Sequence, residues 1–261
     1  MIMMDKWAYS SKLRERNPYS KLLFGVGNLL ICVLCRSNVV SLCIFLIMFA
    51  LVVLIGKMPF RAYLRLLCIP LIFLVISTIT VIFEVGHVES AKILVSLAGG
   101  HIYMTKWSLT RGIQLFLSSF ASVTCLYFLA VTTPVIDMIQ VLRSLHLPKI
   151  VIELMYLIYR FIFLLFETGN AIVVAQDCRL GYKDRKTSVQ STSKMAAVLF
   201  IRAYQKADAL FCSMESRGYD GDLCVLSTIE RPRVPEVIVM LAIILLEGIV
   251  CYYFLGNMPA I

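Results

Sequence analysis

Two apolar runs, Leu22 to Cys35 and Val39 to Ile55, are separated only by Arg36-Ser37-Asn38. So short a polar break leaves room for a tight turn and nothing more, and the two runs must be antiparallel helices lying side by side. Further runs follow at Leu66 to Phe83, Leu109 to Val131 and Val237 to Leu255. A helix needs about 20 predominantly apolar residues to cross a bilayer, so the short first run is expected to extend through its polar neighbours. The chain has 261 residues, of which 60% are hydrophobic and 16% charged, with a mean hydropathy of +0.85. That apolar share exceeds what an ordinary soluble domain carries. The expected fold class is therefore all-α: a polytopic membrane protein with about five transmembrane helices and a cytoplasmic helical region.

Charge sets the expected orientation. Residues 1–21 are polar and carry Lys6, Lys12, Arg14, Arg16 and Lys21, without the plan of a signal peptide, and read as a cytoplasmic leader. Lys57, Arg61 and Arg65 return the chain to the cytoplasm after the first hairpin. Residues 84–106, with Gly86, Gly99 and Gly100, read as a loop or surface-lying segment on the far side. The fourth run carries Ser118, Ser119, Ala121 and Ser122, small residues that let membrane helices approach closely. Residues 22–133 thus form a four-helix membrane region. Residues 134–234 form a cytoplasmic region, with thirteen Lys/Arg from Arg143 to Arg233 against ten Asp/Glu from Asp137 to Glu230. Val151 to Val174 is apolar, yet Glu153, Arg160 and Glu167 would each cost roughly 2.5 to 3.5 kcal/mol at mid-bilayer. A long non-spanning helix is expected there. Residues 235–261 hold the last transmembrane helix and an uncharged tail, giving an expected cytoplasmic N-terminus and exported C-terminus.

Several kinds of chemistry are disfavoured. Nine cysteines are scattered, mostly in apolar runs, which implies buried thiols and no disulfide framework. Cys32-Val33-Leu34-Cys35 has metal-site spacing but lacks a second ligand pair, and His87 and His101 lack convergent partners, so no metal site is expected. The +9 net charge is explained by anionic membrane lipid and by topology; no nucleic-acid module accompanies it. No G-x-x-x-x-G-K-[ST] is present, and no cofactor site of the chain's own is expected.

Against this background two stretches stand out: Ala175-Gln176-Asp177-Cys178-Arg179-Leu180-Gly181-Tyr182 and Ser213-Met214-Glu215-Ser216-Arg217-Gly218-Tyr219-Asp220-Gly221. Each places an arginine at a helix end, where the macrodipole favours a cation, followed almost at once by glycine, which can adopt the left-handed conformation past the last turn. The residue four earlier is small, Ala175 or Ser213. Ser193 to Arg217 reads as an alanine-rich helix, and Lys183 to Ser193 as a flexible link between the two tips. Gly181 and Gly218 are expected to end their helices, with Leu180 an extra residue in the first tip.

This spaced pair resembles the twin Ala-x-x-x-Arg-Gly signatures of the transmembrane T component of energy-coupling factor (ECF) transporters, the EcfT/CbiQ family. Asn17-Pro18-x-x-Lys21-Leu22, Thr132-Thr133-Pro134, Leu145-His146-Leu147-Pro148 and Arg160-Phe161 extend the likeness over nearly the whole chain. The resemblance implies a non-catalytic subunit with two coupling helices in residues 134–234. It implies that Arg179 and Arg217 dock into acidic grooves of two ABC ATPase subunits, which bind the ATP, and that the membrane helices hold a substrate-binding S component. The Arg179-Leu180-Gly181-Tyr182 form points to the CbiQ branch and to cobalt or nickel uptake; a vitamin such as biotin, riboflavin or a cobalamin precursor stays open. An intramembrane protease or other enzyme would need a nucleophile or metal set at membrane depth, and no HExxH or aspartate cluster is present. An autonomous secondary transporter would call for internal repeats and interrupted helices.

Overall fold

The computed structural model describes residues 3–35, 37–86, 92–97, 100–145, 147–221 and 234–256. The helices in chain order are α1 (Met3–Ser10), α2 (Pro18–Leu34), α3 (Asn38–Ala50), α4 (Phe60–Ile82), α5 (Lys106–Thr132), α6 (Val135–Ser144), α7 (Lys149–Asp177), α8 (Arg185–Glu215) and α9 (Val234–Gly256). Strands β1 (Glu84–Gly86), β2 (Lys92–Leu97) and β3 (Gly100–Met104) lie between α4 and α5. The chain divides into two compact units, Ile2–Met138 with Ile229–Ile261, and Ile139–Thr228.

In the first unit α5 is the hub, packing against α1, α2, α3 and α4, while α9 packs on α2 and α3. Small residues set the spacing. A Cβ on Gly25 would lie 2.6 Å from Leu129 Cγ, and one on Gly112 would lie 2.5 Å from Ile82 Cγ1, so α2 and α4 each meet α5 where only glycine fits. Ser118 Oγ donates to the Cys32 carbonyl at 2.8 Å, and the Cys32 thiol reaches back to the Ser118 carbonyl at 3.2 Å. Phe24 and Phe128 meet edge to face at 6.0 Å, and Tyr127 OH donates to the Leu66 carbonyl at 3.1 Å. Leucine, isoleucine and phenylalanine side chains such as Leu30, Leu46, Ile69, Phe73 and Ile76 face outward, as a lipid environment permits.

The chain is thus an all-α polytopic membrane protein carrying one small sheet. Among the described residues, Asn38–Ile55, Phe60–Ile82 and Lys106–Thr132 are long and apolar enough to cross a membrane, and Pro18–Leu34 and Met240–Val250 are apolar but shorter. α2 does extend through polar neighbours, beginning at Pro18 with Asn17 Oδ1 accepting from the Tyr19 N–H at 2.9 Å. α3 runs on into a π-helical turn, Leu51–Ile55.

Two expectations need correction. Residues 84–106 are not a plain loop: β3 lies between β1 and β2, antiparallel to both, with Glu84 opposite Tyr103 and Lys92 opposite Met104. The β-branched Ile93, Val95 and Ile102 favour that pairing over a featureless loop. His101 sits on β3 opposite Gly86 and Ser96, whereas His87 lies outside the described residues. The cysteines are also more varied than expected: Cys32 and Cys125 are buried thiols, Cys43, Cys68, Cys178 and Cys212 are exposed, and Cys35 is disulfide-bonded. Within residues 1–21, α1 packs on α5 and buries Ala8.

Candidate functional site

The two arginine tips both belong to the second unit, whose main elements are α7 and α8. α7 opens after Pro148, whose ring fixes its own φ and which has no N–H left to satisfy at the helix start. The helices form an antiparallel hairpin. At its closed end the Gln176 amide donates to the Ser191 carbonyl at 3.0 Å; midway Gly169 faces Leu199; at the other end Tyr219 OH donates to Glu153 Oε2 at 3.0 Å. None of the α8 residues is buried in this chain.

At the second tip the Tyr219 N–H bonds the Met214 carbonyl at 3.0 Å and the Gly218 N–H bonds the Glu215 carbonyl at 2.9 Å. This is the Schellman arrangement, with Gly218 as the left-handed residue at φ +76°. Arg217 therefore stands immediately before the left-handed residue. The first tip closes by the same pair: the Gly181 N–H bonds the Gln176 carbonyl at 2.8 Å and the Leu180 N–H bonds the Asp177 carbonyl at 2.9 Å. Here the left-handed residue is Leu180, at φ +58°. Leu180 is thus not an insertion: it stands where Gly218 stands, and Arg179 occupies the same position as Arg217.

The two glycines consequently have different reasons to be glycine. Gly218 needs its backbone conformation and has open space around it. Gly181 needs its lack of a Cβ, because such an atom would lie 2.8 Å from the Gln176 carbonyl oxygen and 2.9 Å from Ser191 Oγ. The expectation that Gly181 ends the first helix through its own left-handed turn is replaced by this close approach.

The flexible link expected over Lys183 to Ser193 is also shorter than its composition suggests, because α8 begins at Arg185. Its hydroxyls satisfy themselves inside the helix: Thr192 Oγ1 donates to the Ser188 carbonyl and Ser193 Oγ to the Val189 carbonyl, both at 2.9 Å. Ser191 Oγ donates to the Gly181 carbonyl at 2.8 Å, and Tyr182 OH to Gln176 Oε1 at 2.8 Å, which tie the turn to both helices. Arg179, Arg217, Ala175 and Ser213 are all exposed. At 1.5 Å per residue, the 31 residues of α8 put the two arginines at opposite ends of a rod roughly 45 Å long.

The tips differ in their surroundings. Beside the second lies a cleft of about 440 Å³ whose walls include Arg160, Ser213, Arg217, Tyr219 and Asp220 over an apolar floor. In the sequence Arg160 and Glu153 stand out as charges unsuited to a bilayer, and Arg160 also within the Arg160-Phe161 stretch of the family likeness. Their place beside Arg217 follows from the antiparallel pairing of α7 with α8, which no local pattern announces. Replacing Tyr219 with phenylalanine removes its bond to Glu153 and should lower the thermal stability of the hairpin by about 1 kcal/mol, measured by unfolding in detergent. An unchanged midpoint would show that the bond does not hold the second tip.

In the first unit, stretches far apart in sequence come together. Lys21, fully buried, donates through Nζ to the Thr132 carbonyl at 3.1 Å. Burial pushes the nearby Asp137 carboxyl above its usual range, while the Lys21 and Arg14 charges pull it back. The native state therefore holds that proton more tightly than the unfolded chain, and Asp137's contribution to stability falls as pH rises out of the ordinary carboxylate range.

Comparison with known proteins defines the class. The family model described as CbiQ, cobalt transport protein, matches residues 9–226. The chain belongs to that family. Among its relatives, an uncharacterized protein of Methanocaldococcus jannaschii is 36% identical over 90% of this chain and 87% of its own length. A putative fused cobalt transport protein CbiMQ of Methanocorpusculum labreanum is 33% identical over 95% of this chain and 42% of that longer protein. An energy-coupling factor transporter transmembrane protein EcfT of Listeria innocua is 30% identical over 68% of this chain and 70% of its own length.

Proposed function

We propose that this chain is the transmembrane coupling subunit of an ECF-type ABC importer for cobalt or nickel. Arg179 and Arg217 each dock into an acidic groove on one of two ABC ATPase subunits, with Gly181, Gly218, Ala175 and Ser213 shaping the approach. The observation that carries this reading is that both arginines stand at the same position of the same helix-end turn, exposed, at opposite ends of one rigid hairpin. A fixed spacing of two cationic points suits two copies of an acidic partner, and arginine offers each a permanent charge with a fork of donors.

ATP-driven closure of the ATPases moves the tips, and α7 and α8 pass that rigid-body motion to a substrate-binding S component in the membrane. The names of the relatives support the company the chain keeps: the CbiMQ name describes a fusion of a matching segment with another transport component, and the EcfT name belongs to an energy-coupling factor transporter. Residues 22–133 and 235–261 supply five spans, with residues 1–21 cytoplasmic and the C-terminus exported. Residues 134–234 serve as the cytoplasmic coupling region.

The test of substrate is uptake of radioactive cobalt or nickel by cells carrying the complete transporter, with and without this chain. Metal uptake should fall to background on deletion and return with the gene. Normal metal uptake alongside lost uptake of biotin or riboflavin would move the chain to the vitamin branch.

A further inference from the structure

We infer that the second tip is a composite anion site, in which Arg160 of α7 joins Arg217 in gripping a single acidic segment of the partner ATPase; this rests on the docking role proposed above. The spacing builds the site. Glu153, Leu157, Arg160, Phe161 and Leu164 fall at i, i+4, i+7, i+8 and i+11 on α7, one face of a helix. Lys206, Leu210, Ser213, Met214 and Arg217 repeat that interval along α8 and its end.

The two stripes face each other across the cleft of about 440 Å³, floored by Leu157, Leu210 and Met214. A second hollow of about 240 Å³, walled by Arg160, Phe161, Leu164, Lys206, Ala209 and Leu210, continues the first. The larger cleft sets two guanidiniums against one carboxylate, Asp220, so its lining carries surplus positive charge. The smaller one adds Lys206 above apolar walls. Like charges sharing a cleft repel until an anion enters between them, and an occupant therefore needs at least one carboxylate beside an apolar side chain. A helix or loop of the ATPase with an acidic residue next to a leucine or phenylalanine meets both requirements. The hydrogen bond to Glu153 from Tyr219, which lines the cleft, ties the residues after α8 to α7.

The experiment measures binding of the two cognate ATPase subunits to the purified chain in nanodiscs, over a range of salt, for wild type, Arg160→Gln, Arg160→Lys, Arg217→Ala and Arg179→Ala, and for Arg160→Gln combined with each alanine variant. Arg160→Gln should weaken binding by about 30-fold and flatten its salt dependence, with Arg160→Lys recovering part of the loss. Because both arginines grip one segment, Arg160→Gln should add little to Arg217→Ala but should add fully to Arg179→Ala. Helicity and thermal unfolding should stay at wild-type values, since Arg160 is exposed.

Wild-type affinity in Arg160→Gln, together with a loss in Arg217→Ala, overturns the composite site and leaves the docking role standing. Wild-type affinity in Arg179→Ala and Arg217→Ala as well removes the docking role itself. A loss in Arg160→Gln that adds fully to Arg217→Ala also overturns the shared cleft. So does loss of co-purified phosphatidylglycerol with ATPase affinity unchanged, which would give the cleft to a lipid headgroup.

Discussion

Replacing both Arg179 and Arg217 with alanine should strip the ATPase subunits from this chain on co-purification and reduce metal uptake to background. Membrane insertion should survive, because both side chains are exposed and neither contributes to the helix bundle. If the arginines dock as proposed, each truncation would leave the partner's carboxylates in a desolvated groove without their cation, a loss of about 2 to 5 kcal/mol per site, or roughly 30-fold and upward in affinity. Losing both sites multiplies the effect. A single lysine substitution at either position should retain part of the binding, since the charge remains while the bidentate fork is lost. A double alanine variant that keeps both ATPases and transports normally would remove the arginines from the mechanism.

The second large effect concerns the glycines behind the arginines, which should both lose stability on the same substitution but for different reasons and by different amounts. Gly181→Ala places a Cβ against the Gln176 carbonyl oxygen that accepts the Gly181 N–H, and against Ser191 Oγ. Neither can yield without breaking the turn, so the first tip should lose about 1 to 3 kcal/mol of local stability and Arg179 should lose its aim. Gly218→Ala meets open space and costs only the left-handed conformation, about 1 kcal/mol, which Leu180 already bears at the first tip. Leu180→Gly should accordingly be neutral to mildly stabilising. Unfolding of the detergent-purified variants, paired with ATPase binding, measures both effects. Equal losses for Gly181→Ala and Gly218→Ala would mean that conformation, not the close approach, limits the first tip.

The membrane helices were legible because lipid leaves the backbone few choices: uncharged runs such as Val39 to Ile55 must be helices, and the small residues on α5 mark where neighbours touch. The long helix expected over Val151 to Val174 was legible from its apolar run, and α7 is one continuous helix from Lys149 to Asp177. The arginine tips were legible because helix ends have a local grammar of cation and glycine. What local grammar misses is what a distant segment supplies. The hydroxyl-rich start of α8 reads as a link until its side chains are seen bonding back within the helix. Leu180 reads as an insertion because leucine seldom takes the left-handed conformation, and the hydrogen bonds alone align it with Gly218. Arg160 reads as an awkward charge until antiparallel pairing sets it beside Arg217. The small sheet escaped because Gly86, Gly99 and Gly100 suggested a loop, although Ile93, Val95 and Ile102 carried strand propensity.

The claim that two ends of one hairpin hold two ATPases is tested most directly by photo-crosslinking in membranes bearing the assembled transporter. A photoreactive residue at Leu180 or at Ser216, each beside its arginine and exposed, should capture an ATPase subunit from both positions. A chain carrying the probe at both should yield an adduct with two ATPase subunits attached. Capture at one end only, or adducts with lipid at both, would contradict the account.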